Sequence, residues 1–289
     1  MMHAHDSFGL WSCTVSLILA LTALAYLRCV SRTRSGDLHA ISLWRAVSFL
    51  VGVLLIWIAL GSPLAVLDQG SLTGHMVQHL LLMTFAPPLI WLGVPAKFLV
   101  QRLPERYARL AIGSTSTARW IQSEGRVFAH PIVCWLGAAA TLTVWHVPAA
   151  LVLALHSAAW HAVEQASFLA TGLLFWSLVV RPSPNTSTSR WPILLYLFLA
   201  TLPCDILSGF LVFCDRVVYP VYLPSSRPFG LSALEDQQCA GALMWTCVTV
   251  VYLIAGTVLA ARLLSHQDSD CGPPSDSLAC SVRPKAEAA

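Results

Sequence analysis

A chain of 289 residues that is 56% hydrophobic and only 11% charged is not a soluble globular protein, which would carry about a quarter charged residues. The formal net charge of +3 is too small to argue for a nucleic-acid partner, and its basic residues follow membrane topology instead. Nine scattered cysteines without a CxxC pair exclude a soluble zinc ribbon, and several of them sit inside apolar runs as small hydrophobes.

Seven apolar segments are long enough to cross a hydrocarbon core of about 30 Å, which takes roughly 20 helical residues. They lie at about 8–30, 41–61, 72–93, 131–147, 158–180, 192–213 and 239–264. The expected fold is all-α: a polytopic membrane protein built as a seven-transmembrane helix bundle over residues 1–264, followed by a disordered tail over 265–289. The first residues, Met1 to Ser7, hold no Lys or Arg before the first apolar run, which argues against a cleaved signal peptide. The loop after the third segment mixes Leu, Arg and Tyr over Lys97–Ile112, a pattern open to a short interfacial helix or a solvated basic connector.

Charge sets the expected orientation. The first, third and fifth loops and the tail hold fifteen of the seventeen basic residues, the second and fourth loops none, and the sixth only Arg216 and Arg227. By the positive-inside rule the N-terminus is outside and the C-terminus cytoplasmic.

With that orientation, polar residues gather at one membrane face. His75, His79 and Met83 are spaced i, i+4, i+8, so a helix puts two imidazoles and a thioether roughly on one side. His146 ends the fourth segment at the same face, and His161 opens the fifth, with Glu164 and Gln165 one turn deeper. Asp236 opens the seventh from that side. Ionisable residues within membrane-length segments are costly and mark function. The candidate metal ligands are therefore His75, His79, His146, His161, Met83 and Asp236. His156, alone in an outer loop, reads as an interfacial amphiphile, and Met83 and Met244, taken singly, read as core fillers. Asp205, beside Pro203, is open to an orienting, proton-relay or structural role.

Imidazole with thioether suits copper, with thioether favouring Cu(I). Haem with paired axial histidines and zinc with three histidines and an acid are the competing fits. A retinal protein would need a membrane-embedded lysine for its Schiff base, and the only lysines, Lys97 and Lys285, lie in a loop and the tail. No nucleophile–base triad or phosphate loop is present, so no enzymatic activity is expected. A copper transporter would carry polar groups along its whole path, whereas here they thin out toward the cytoplasmic side, apart from Asp205.

Several motifs carry a family resemblance. Ser62-Pro63-Leu64, His75-Met76-Val77-Gln78-His79-Leu80-Leu81-Leu82, Ala86-Pro87-Pro88-Leu89, Trp145-His146-Val147-Pro148, His161-Ala162-Val163-Glu164, Phe175-Trp176, and Asp236-Gln237 through Ala240-Gly241 and Met244-Trp245 together resemble the CtaG-type assembly proteins of caa(3)-type cytochrome c oxidases. These are distinct from the single-span copper chaperone of the same name. The resemblance spans the second to the seventh segment. It implies a multi-pass protein of the bacterial plasma membrane that helps mature a haem-copper oxidase, whose subunits would be its partners, plausibly by aiding copper delivery. On the matching positions it points to His75, His79, His146, His161 and Asp236. Family members often have a histidine where this chain has Gln165, so a ligand at that position would be missing here. Whether Cys214 and Cys239, both near the outer face, are bridged is left open by sequence.

Overall fold

In a computed structural model, which describes residues 2–33, 43–62, 70–94, 130–180, 191–223 and 230–270, every regular element is helical. In chain order these are α1 (Met2–Thr33), α2 (Leu43–Leu60), α3 (Leu72–Leu80), a π-helical turn (Leu81–Phe85), α4 (Ala86–Gly93), α5 (Pro131–Trp145), α6 (Pro148–His156), α7 (Ala158–Val180), α8 (Trp191–Phe213), a 3₁₀ turn (Pro220–Tyr222) and α9 (Ala233–Asp270). Six stretches are long and apolar enough to cross a membrane: Trp11–Ser31, Leu43–Leu60, Leu72–Gly93, Ala158–Val180, Trp191–Phe213 and Ala233–Ser265. Leu54, Leu195, Phe198, Ile206, Leu253 and Ile254 stand exposed around the bundle, where only lipid would accept so continuous an apolar belt. This is a multi-pass membrane protein.

The expected fourth span, 131–147, is a continuous helix only over Pro131–Trp145. α5 stops at Trp145, and α6 leaves it at an angle of 77°. Pro148 has no N–H to donate and its ring crowds the carbonyl four residues back, so a continuous helix is disfavoured there and the chain breaks. Val147 is accordingly extended (φ −68°, ψ 128°), as a residue before proline should be, and Pro148 opens the next helix at its first turn. Among the described residues the count is six spans plus this bent pair. His156, expected in a loop, closes α6 and is exposed, its Nδ1 donating to Val152 O at 2.8 Å.

α9 begins six residues before its expected start, for a reason visible in its sequence. Ser232 and Glu235 form a capping box: Glu235 N–H donates to Ser232 Oγ at 3.2 Å and Ser232 N–H to Glu235 Oε2 at 2.6 Å. The helix continues to Asp270, into the stretch expected to be a tail. Residues 271–289 and the possible interfacial helix at 97–112 lie outside the described residues.

The third span is interrupted by its own prolines. Pro87 cannot donate to the Met83 carbonyl, nor Pro88 to that of Thr84, and the ladder relaxes into the π turn just before them. The carbonyl of Met83 is satisfied instead by Trp176 Nε1 of α7 at 3.1 Å. Gly172 lets α7 come this close: a Cβ there would meet the Met83 backbone at 2.9 Å. On its other side this span meets α2, where a Cβ on Gly93 would lie 2.6 Å from Arg45 O. α1 is clipped to the outside of that pair by Tyr26, whose hydroxyl donates to Gly93 O at 2.9 Å and whose ring stacks on Phe49. An aromatic core of Phe175, Trp176, Tyr196 and Tyr252 joins α7, α8 and α9. α3 stands between α7 and α9, with the imidazoles at its centre.

Candidate metal centre

The first turn of α3 is anchored before any ligand appears. Ser71 Oγ accepts the Gly74 N–H at 3.0 Å, and the Asp236 carboxylate accepts those of Leu72 at 2.8 Å and Thr73 at 3.2 Å. Asp236 is thus spent on a helix N-terminus, where its charge also complements the helix dipole. Of the expected ligands it is the one that the fold does not aim at the imidazoles. Its neighbour Gln237 takes the Val218 N–H at 2.7 Å and donates to Arg216 O at 3.2 Å, stapling the α8–α9 connection over the same end of the bundle. From there Tyr219 reaches in and donates its hydroxyl to the backbone carbonyl of His146 at 2.8 Å.

Below this roof four imidazoles form a row. Ring centroids are 6.2 Å apart for His161 and His75, 4.3 Å for His75 and His79, and 6.0 Å for His79 and His146. His75 is fully buried, His79 and His146 nearly so, and His161 is half-buried. Phe168 stacks on His79 at 3.9 Å and holds its ring plane. His75, His79, His146 and His161 are therefore brought together as expected. Met83 lies further along the third span, in the wall of a narrow cavity of about 50 Å³ that opens below His79 and His146.

The charge in the group comes from a residue not among the expected ligands. Glu164, fully buried, accepts His75 Nε2–H on Oε1 at 3.3 Å. His79 Nε2 is 3.4 Å from the same oxygen, without hydrogen-bond alignment. One ligand atom each from His75, His161 and Glu164 lies within 4.8 Å of the others. Glu164 Oε2, His75 Nδ1 and both nitrogens of His79 are buried without a protein hydrogen-bond partner. So many orphaned donors and acceptors in one spot would be expensive unless an ion or water completed them. Nitrogen and carboxylate donors at this spacing fit a borderline divalent ion such as copper or zinc. Glu164 was legible: it follows His161 by three positions, which puts both on one face of α7.

Gln165 closes the group on the α7 side. Its amide donates to His161 Nε2 at 3.1 Å and to Gln78 Oε1 at 3.3 Å, and Gln78 in turn donates to Ala59 O at 3.0 Å. Position 165 thus contacts the centre through an amide. Cys214 and Cys239 are both free thiols, not bridged to each other.

A histidine–carboxylate group under a stapled roof, inside a bundle of membrane-length helices, defines a polytopic membrane protein with a candidate metal centre. Residues 24–266 match the family of cytochrome c oxidase caa3 assembly factors (Caa3_CtaG), and the chain belongs to that family. It is also similar to two uncharacterised proteins, Mb0105 of Mycobacterium bovis and MT0111 of Mycobacterium tuberculosis, at 24% identity over 243 residues. The match covers 78% of this chain and 36% of each relative, so the chain spans about a third of their length. No solved structure matches the chain significantly.

Proposed function

We propose that this protein serves the assembly of a haem-copper oxidase by holding copper at the extracytoplasmic face of the bacterial plasma membrane and passing it to an oxidase subunit. The observation that carries the reading is the group of buried His75 and Glu164 with half-buried His161, with ligand atoms within 4.8 Å of one another and His79 adjoining. The family supplies the context, oxidase assembly. The bias of basic residues supplies the sidedness, since it puts the N-terminus of α3 outside. The role is delivery rather than catalysis.

Two features favour an ion over a haem. The cavity beside His79 and His146 is about 50 Å³, far below the several hundred Å³ of a cofactor pocket. The face of His79 is also already covered by Phe168. The test is metal analysis of the full chain purified from copper-supplemented cells, with an absorption spectrum alongside. At least one copper per chain, with clearly less copper retained in the His75→Ala/His161→Ala double variant, is the expected result. A Soret band, or equal copper in wild type and variant, would overturn the reading.

A further inference from the structure

Adjacent residues on α3 face different partners. His75 turns to α7 and Glu164, whereas Met76 turns to α5, where its Sδ lies 3.2 Å from His146 Nε2. Both side chains are buried. His146 Nδ1 is 2.7 Å from the carbonyl of Leu142, which can only accept, so that nitrogen carries the proton. In the neutral ring Nε2 then presents a lone pair, and a thioether has no hydrogen to offer it. Two buried acceptors thus face each other with no donor between them. An imidazolium would resolve this only with a counter-charge, and the nearby carboxylate, Glu164, lies against His75 and His79. A soft cation resolves it directly.

The surroundings are equally soft. The cavity beginning at Met76 and His146 is lined further by Met83, Met244 and Cys204, which adds three more sulfur atoms from three helices. The pair is also held in place before any ion arrives: Tyr219 fixes the backbone of His146 at the break before Pro148, and the capped N-terminus of α3 fixes Met76. Thioether and imidazole without carboxylate select monovalent copper, whereas the imidazole–carboxylate group next to it suits a divalent ion.

We infer that His146 Nε2 and Met76 Sδ form a second metal site, selective for Cu(I) and separate from the His75–His161–Glu164 group. The inference deepens the copper reading above and rests on it. His79, between the two groups, lies 4.3 Å by ring centroid from His75 and 6.0 Å from His146.

The test uses the full chain in detergent, stripped of metal, and titrated anaerobically with Cu(I) against a chromophoric chelator and separately with Cu(II). Met76→Leu preserves volume and removes only the thioether. It should weaken Cu(I) binding about tenfold or more and leave Cu(II) binding unchanged, and His161→Ala should do the reverse. X-ray absorption of the Cu(I)-loaded wild type should show sulfur in the first coordination sphere, lost in Met76→Leu. Wild-type Cu(I) affinity in Met76→Leu, or a Cu(I) sphere of nitrogen and oxygen alone, overturns the second site while leaving the first standing. Equal loss of both ions in Met76→Leu overturns their separateness. A wild-type chain that binds neither ion removes the copper reading itself.

Discussion

The carboxylate of Asp236 accepts the backbone N–H of Leu72 at 2.8 Å, a bond between residues 164 positions apart that fastens the last helix to the first turn of α3. The Thr73 N–H and hydroxyl add two further bonds to the same residue. This fixes the helix that supplies His75, Met76 and His79, and it separates two roles that an acidic residue near histidines could play. The two carboxylate oxygens each accept one N–H, and asparagine keeps only one of these acceptors; a metal ligand needs the charge. Asp236→Asn should therefore keep its metal while losing part of the cap's stability, less than Asp236→Ala loses. Asp236→Ala strands two amides and should lose roughly 1.5–3 kcal/mol, read as a lower unfolding midpoint in detergent. Loss of metal in Asp236→Asn would return Asp236 to the ligand set.

Glu164→Gln isolates the other role. The substitution keeps the shape of the side chain but removes the one negative charge against His75 and His79. A divalent ion held by imidazoles and this carboxylate should bind on the order of ten- to a hundredfold more weakly, while the fold persists. Chelator competition on the purified protein reads this directly. Unchanged affinity would mean that Glu164 only orients the rings.

How much of this could be read from the residues alone follows from what each signal depends on. His75 and His79 were legible because their spacing works within one helix and their cost in a membrane does not depend on neighbours. The placement of His146 and His161 at the same end followed from the alternation of basic loops. For Asp236, sequence gives its place at the outer end of its helix but not its contact with the α3 amides, which is a matter of tertiary packing. The break at Val147-Pro148 and the capping box at Ser232 and Glu235 were local signals available in the chain and outweighed by the apolar count. Met76 carried no signal at all: a thioether in an apolar run is a core filler until a specific imidazole is found facing it.

Gln165 offers a gain-of-function test. Its amide now occupies His161 Nε2 at 3.1 Å, so an ion reaching that nitrogen must displace it. Gln165→His replaces a competing donor with a further potential ligand at i+4 from His161. Retention of the divalent ion should tighten about tenfold, seen as slower loss to a chelator. Faster loss would mean that the amide, through Gln78 and Ala59, is needed to hold α7 in register.

Tyr219 links the roof to the break in the α5–α6 pair, and its chemistry sets an alkaline limit. Burial pushes its phenol up to about 12 from an ordinary value of 10.0, so the hydroxyl stays protonated and donating to His146 O across the whole neutral range. The unfolded chain loses this proton first as pH rises, so the contribution of Tyr219 to stability is complete below pH 10 and falls away between about 10 and 12. Tyr219→Phe removes the bond and should cost roughly 1 kcal/mol at pH 7. The same variant should show a shallower loss of stability over that alkaline window, measured by unfolding midpoints at stepped pH. If the two proteins lose stability in parallel above pH 10, the phenol is not the group that titrates.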